Sequence, residues 1–133
     1  MTTTTFTAFV PTLHTGLETP PVEPMELAFA AAGGDGDMVP ISSTMLTLVF
    51  LKNSSGATAY DVTFPANVYT ETAGGAGEDL GDVVVSATKS ATTLAGVFLP
   101  YRFANPSGYC AITYGGGEAS ISVAVAHVPY TSK

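Results

Sequence analysis

Gly, Pro, Asn or Ser interrupts this sequence about every eight to twelve residues, and β-branched and aromatic residues fill the intervals. No stretch carries apolar residues at helical spacing over several turns. Runs at 33–37, 52–56, 74–79 and 115–117 are typical of turns, because Gly, Asn and Asp tolerate positive φ. We therefore expect an all-β fold, a single antiparallel β-sandwich of jelly-roll-like or immunoglobulin-like type.

The intervals between these turns give the expected strands. They are 25–32 (or a short helix there), 44–51, 57–64, 82–87, 92–99, 109–114 and 119–128. Segment 44–51 is apolar on both faces, which predicts a central strand covered on both sides. Segment 57–64 alternates, so Tyr60, Val62 and Phe64 should share one face. The last two strands are expected to form a hairpin across the triple glycine.

One face of the last expected strand carries small, uncharged side chains. Its larger residues, Ile121, Val123 and Val125, share the other face. Exposed strands usually carry charge, which also prevents unwanted pairing. The small face either packs against a strand layer or another subunit, or is simply exposed.

Residues 1–24 are predicted to be an extended N-terminal arm, followed by a β-sandwich domain over 25–133. Residues 2–10 favour β structure, and prolines then interrupt the chain at 11, 20, 21 and 24. The arm is too apolar for a typical disordered tail. We favour an arm that lies on a partner subunit over one folded back on its own domain.

The charge content argues against several classes of function. Charged residues make up 11% of the chain, and four basic residues face eleven acidic ones for a net charge of −7. Four scattered cations cannot form the basic stripe that nucleic acid requires. No apolar run is long enough for a membrane helix, and the N-terminus lacks the pattern of a signal peptide. We expect no nucleic-acid or membrane partner, and synthesis in the cytoplasm.

The residue types that carry chemistry are sparse. His14, His127 and the single Cys110 show no metal-ligand spacing, and Cys110 falls in mid-strand, where an inert buried thiol is expected. The acidic turns at 35–37 and 78–82 do not complete a calcium loop and are expected to face water. No catalytic motif is present. We therefore expect no enzyme activity, no catalytic or metal site and no cofactor.

The cluster Tyr101, Arg102 and Phe103 places the single arginine between two aromatic residues. It is either a packed corner or an anchor for an interface, where Tyr and Arg are enriched. Together with Phe6, Phe9 and Val10 of the arm, these are the candidate interface residues. Tyr60, Tyr69, Tyr101, Phe103 and Tyr109 could alternatively form aromatic platforms for a sugar.

The C-terminal hundred residues resemble small β-sandwich head decoration, or cement, proteins of tailed bacteriophages. The likeness is carried, in order, by LTLVFLKNSSG at 46–56, AYDVTF at 59–64, VVVSA at 83–87, GVFLPYRF at 96–103, GYCAITY at 108–114 and ISVAVA at 121–126. The arm and the loop at 70–81 are longer than is usual in that family.

The resemblance implies a structural virion protein that binds the outer surface of the assembled phage head and stabilises it. Its partner would be the major capsid protein, its location the capsid surface, and its own assembly a homo-oligomer, with a trimer favoured. The alternatives are a carbohydrate-binding or adhesin-type β-sandwich module, or another virion component from head completion or the tail.

Overall fold

Two β-sheets packed face to face form the protein, which confirms the all-β sandwich. The computed structural model describes residues 3–11, 27–34, 36–66, 68–69, 78–79 and 81–129. The strands are β1 (Ala8–Phe9), β2 (Ala30–Ala31), β3 (Asp37–Pro40), β4 (Leu46–Asn53), β5 (Tyr60–Phe64), β6 (Val68–Tyr69), β7 (Glu78–Asp79), β8 (Val83–Ala87), β9 (Ala91–Phe98), β10 (Tyr109–Tyr114) and β11 (Ile121–Val128). A short helix α1 spans Pro100–Phe103, and a 3₁₀ helix spans Glu118–Ser120.

The first sheet has the strand order β1–β11–β4–β9, with β2 also paired to β11. The second sheet has the order β3–β10–β5–β8, and β6 and β7 form a separate small ribbon. All pairings are antiparallel except that of β1 with β11, which is parallel. Strand β4 lies between β11 and β9, so the prediction of a central strand in this region is confirmed.

Alternation along the strands of both sheets supplies the core. In β4 and β11, Val49, Leu51, Val123 and Val125 point inward and are buried. The second sheet contributes its own buried set, and the alternation predicted for Tyr60, Val62 and Phe64 is confirmed. The inward side chains thus come from the same alternation that the sequence shows.

An aromatic cluster fills one part of this core. The ring of Phe98 stacks on Phe64 at a centroid distance of 4.4 Å and meets Phe103 edge-on at 4.9 Å. Phe64 comes from the second sheet, Phe98 from the first and Phe103 from α1. Such pairs stabilise by about 0.5–1.5 kcal/mol beyond the burial of their area. The cluster therefore ties α1 and both sheets together.

The expected hairpin across the triple glycine is wrong, because β10 and β11 belong to different sheets. The backbone N–H of Gly115 donates to the carbonyl of Asp61 at 2.8 Å, which holds the end of β10 beside β5. Gly116 and Gly117 then adopt positive φ, and the 3₁₀ helix carries the chain across to the first sheet. A glycine run permits either a tight hairpin or such a crossing, and sequence alone does not separate them.

Gly117 tests this crossing. Its φ is 67°, and a methyl group at its Cα would overlap the ring of Tyr60. We expect Gly117→Ala to lower the free energy of unfolding by about 2–4 kcal/mol. The alanine backbone would be strained at this positive φ, and its methyl group would overpack against the ring of Tyr60. Denaturant unfolding would measure the loss. Gly108→Ala is the matched control, since Gly108 has φ 85° with no atom near the added methyl, and should lose only about 1 kcal/mol. Equal losses in the two variants would contradict the overlap.

Candidate protein-binding surface

The outer face of the first sheet carries apolar side chains in two rows that cross the strands. The first row is Phe9, Ala126, Leu48 and Val97, and the second is Ala124, Phe50 and Leu94. Directly paired residues point to the same side of a sheet, so the register places both rows opposite the core. We call these seven residues the apolar face.

Exposure of the apolar face increases towards β9. Leu94 is 53% exposed and Val97 is 49% exposed, whereas Leu48 and Phe50 are half-buried. The first row crosses four strands, three inter-strand spacings of ~4.8 Å or about 14 Å. The exposed apolar surface is thus concentrated at β9, and exposed apolar surface of this kind often marks a protein-protein contact.

A polar row borders the apolar face at one end. It contains Ser122, Lys52 and Thr92, which are paired across β11, β4 and β9. The ammonium of Lys52 lies 5.6 Å from the ring centroid of Phe29, a cation–π contact that places this aromatic ring beside the same face. The exposed carboxylate of Asp61 lies on β5 of the second sheet, away from the apolar face.

The small-residue face of β11 is covered. Ala124 and Ala126 are buried, and they lie between the larger Phe50 and Leu48 of β4 on one side and the β1–β2 edge on the other. The sequence left two interpretations of this face, close packing and simple exposure. Close packing therefore applies to Ala124 and Ala126. Sequence periodicity could indicate their side of the strand but could not identify the neighbours that cover them.

The N-terminal candidate interface residues separate in the structure. Phe6 is buried in the core of its own domain, and its N–H donates to the carbonyl of Met38 at 2.9 Å. Residues 3–11 therefore lie along their own sandwich, which is the alternative we had favoured less. Phe9 is half-buried in the apolar face, and Val10 is 53% exposed next to it. The expected boundary between 24 and 25 lies outside the described residues, as does His14.

The second candidate cluster forms a packed corner with one exposed member. Phe103 is buried, and the guanidinium of Arg102 lies 5.0 Å from its ring centroid. A terminal nitrogen of Arg102 donates to the carbonyl of Gly81 at 2.9 Å. Tyr101 is 57% exposed and is the most exposed member of this cluster.

The five aromatic residues considered for sugar binding do not share one environment. Phe103 is buried, Tyr60 packs beside Gly117, and Tyr109 is half-buried. Tyr101 is largely exposed, and the side chain of Tyr69 lies outside the described residues. The described part of the chain therefore brings no pair of these rings together as an exposed platform.

A buried carboxylate holds the N-terminal segment to the sandwich. Asp37 is 0% exposed, which corrects the expectation that it faces water. It accepts hydrogen bonds from the backbone of Thr4 at 2.9 Å and Gly33 at 2.8 Å, and from the hydroxyl of Tyr114 at 2.7 Å. The N–H of Gly34 also lies within reach. We call this arrangement the Asp37 clasp.

The Asp37 clasp shifts two pKa values in opposite directions. Burial raises the pKa of Asp37, but hydrogen bonds from Thr4, Tyr114, Gly34 and Gly33 outweigh it, so that the pKa lies below the ordinary 3.8. Burial, reinforced by the neighbouring Asp37, raises the pKa of Tyr114. The side chains are thus held as a carboxylate and a neutral phenol, and their role is to fix the chain rather than to exchange protons.

We expect Asp37→Asn to lower the free energy of unfolding by about 2–3 kcal/mol near neutral pH, because the amide nitrogen cannot accept from the backbone N–H groups. A group with a lowered folded pKa stabilises above its unfolded pKa and loses that effect as pH falls through the folded value. The difference in melting temperature between wild type and variant should therefore shrink below about pH 4.

Asp61→Asn is the matched control, because Asp61 is exposed on β5 of the same sheet. It should leave the melting temperature near that of the wild type over the same pH range. A difference between Asp37→Asn and wild type that stays constant down to strongly acidic pH would contradict the role of the ionised carboxylate.

Cys110 and His127 are the remaining residues considered for a catalytic or metal-binding role. Cys110 is buried in β10, which confirms its placement, and burial together with the charge of Asp82 raises its pKa to about 12. Nε2 of His127 lies 2.9 Å from the carbonyl oxygen of Pro40 and so joins the two sheets. Within the described ranges, no three His, Cys, Asp or Glu side chains come together as metal ligands.

Comparisons with protein-family models, with curated proteins and with solved structures found no match to this chain. Among the residues that the structure describes, no helix has the length and hydropathy that a membrane crossing requires. The apolar face is therefore the principal candidate for function. Sequence reasoning found its β4 and β11 parts, but it did not combine them with β9, since that requires the strand order.

Proposed function

We propose that this protein is a structural, non-enzymatic capsid decoration protein, which binds the outer surface of an assembled phage head and stabilises it. The observation that carries the proposal is the apolar face, with Leu94 and Val97 about half exposed and no carboxylate in either row. The family resemblance of residues 46–126 supplies the identity of the partner, the major capsid protein.

The physical basis is selective binding to the assembled lattice. A ligand that binds only the assembled state stabilises that state by mass action. A contact centred on a few apolar side chains gives modest affinity for each copy, and linked copies on one lattice gain avidity. The low charge of this face also suits the proposal, because burying unpaired charge against a partner costs free energy.

Reconstitution on decoration-free capsids of the source phage tests the proposal. We expect purified protein to co-sediment with these capsids and to raise the temperature at which they release DNA. Leu94→Gln and Val97→Gln should each weaken binding about 10-fold or more, because burial of one such side chain is worth about 1.5–3 kcal/mol. Val84→Gln is the matched control: Val84 is 58% exposed, on β8 of the second sheet, and the change should leave binding intact.

Three results would contradict the function or the contact surface proposed for it. Absence of co-sedimentation by the folded wild type would reject capsid decoration. Loss of binding in Val84→Gln, with both β9 variants unaffected, would move the contact to the second sheet. Specific binding to a glycan array that is lost in Tyr101→Ala, without capsid binding, would instead favour the carbohydrate-binding alternative.

A further inference from the structure

Strand β9 forms an edge of the first sheet, and the part of β9 before its bulge lacks the usual protection. It pairs with β4 on one side, and among the described residues no strand lies along its other side. Its eight residues, ATTLAGVF, include no charge and no proline. Natural edge strands are normally short, charged, interrupted by proline or distorted by a bulge, because a free edge pairs with other chains.

The other edges of the two sheets carry such protection. Strands β1 and β2 have two residues each, and β3 ends in Pro40 and is bridged by Thr5. Strand β8 has five residues and lies between Asp82 and Lys89. Among the described edges of the two sheets, the unprotected one is therefore on β9. A bulge divides β9, and the part before this bulge is regular.

The bulge limits where a partner strand can pair. The register with β4 shifts between Val49 and Phe50, so that Ala95 is passed over, and Gly96 has φ 141°. A bulge bends the strand and disrupts regular pairing beyond it. The regular part of the edge is thus 91–94, and Thr93 lies within it.

We propose that β9 pairs antiparallel with β9 of a second copy, about a two-fold axis through Thr93. In this register Thr93 lies opposite Thr93 of the second copy, and Thr92 lies opposite Leu94. Direct partners then point to the same side of the joined sheet, as antiparallel pairing requires. The result is one continuous sheet across both copies.

The charge distribution permits a second copy as the occupant at this edge. Each chain carries a net charge of −7, so copies repel one another unless they meet at a surface free of carboxylates. The edge of β9 is uncharged, and the adjacent strand on the same face presents Lys52. A two-fold contact at this edge opposes no like charges, and a Thr–Thr pair lies at its centre.

The pairing also joins the outer rows of the two copies. Leu94 of one copy lies opposite Thr92 of the other, so the second apolar row continues into the polar row of the second copy on one side of the joined sheet. This inference goes beyond the proposed function and does not depend on it, because it concerns the isolated protein. It gives a dimer, whereas the family resemblance implies a trimer.

Sedimentation of the isolated protein over a range of concentrations tests the pairing. We expect the wild type to approach a mass twice 13.6 kDa as concentration rises. Thr93→Lys should remain at the monomer mass, because it places two ammonium groups opposite each other across the axis. Leu94→Gln adds no charge to the edge and should remain dimeric. Val10→Lys, which changes an exposed valine at the opposite edge of the first sheet, should also remain dimeric.

Cross-linking gives a second readout, which does not depend on whether the fold tolerates Thr93→Lys. Direct antiparallel partners have Cα atoms about 4.5–5.5 Å apart, a separation that a disulfide accepts. Thr93→Cys should therefore form a disulfide-linked dimer under mild oxidation, while buried Cys110 stays reduced. Val10→Cys should not cross-link into a discrete dimer.

Each other outcome overturns the proposal. A wild type that stays monomeric at all concentrations, or that forms a trimer, excludes the β9 dimer. A dimer that Val10→Lys dissociates, but that a folded Thr93→Lys leaves intact, also excludes this pairing. If Thr93→Lys fails to fold, failure of Thr93→Cys to cross-link rejects the pairing by itself. Capsid binding enters none of these measurements, so failure of the dimer and failure of the decoration function remain distinguishable.

Discussion

The register between β4 and β11 is the constraint on which both surfaces of the first sheet depend. These strands pair without a shift from Leu46 opposite Val128 to Asn53 opposite Ile121. A slip of one residue would exchange the core side chains with those of the apolar face. Asn53 holds one end, since its amide donates to the carbonyls of Thr58 and Ala87 at 2.9 and 3.0 Å. His127 holds the other end through its contact with Pro40.

The Asp37 clasp solves a different problem, the attachment of a short N-terminal segment. Residues 3–11 cross from β3 of the second sheet, where Thr4 and Phe6 bond to Met38, to β11 of the first sheet. Two-residue strands contribute few ladder bonds, so the segment depends on buried Phe6 and on the carboxylate that accepts from Thr4. Charge-assisted bonds are stronger than neutral ones, which suits a contact made by so few residues.

Strand positions could be predicted from the sequence because each depends on local alternation and turn residues. The region of β4, the inward face of β5 and the turn before β9 all follow from such patterns. The crossing after β10 could not be predicted in this way, because glycines permit several backbone paths. The burial of Asp37 was missed for a related reason: its partners Thr4 and Tyr114 are distant in sequence, and an Asp that ends a glycine-rich run is typical of an exposed turn.

By itself, the sequence determined the β-sandwich class, the inward residues of the main strands, the apolar character of both sides of β4 and the scarcity of charge. Each of these depends on composition or on the two-residue period of a strand. Only the tertiary structure decided that Phe6 belongs to the core, that the outer rows of β4 and β11 continue onto β9, and that β9 forms an edge. Strand order brings residues together across long stretches of chain, and no local pattern encodes which strand becomes the neighbour of which.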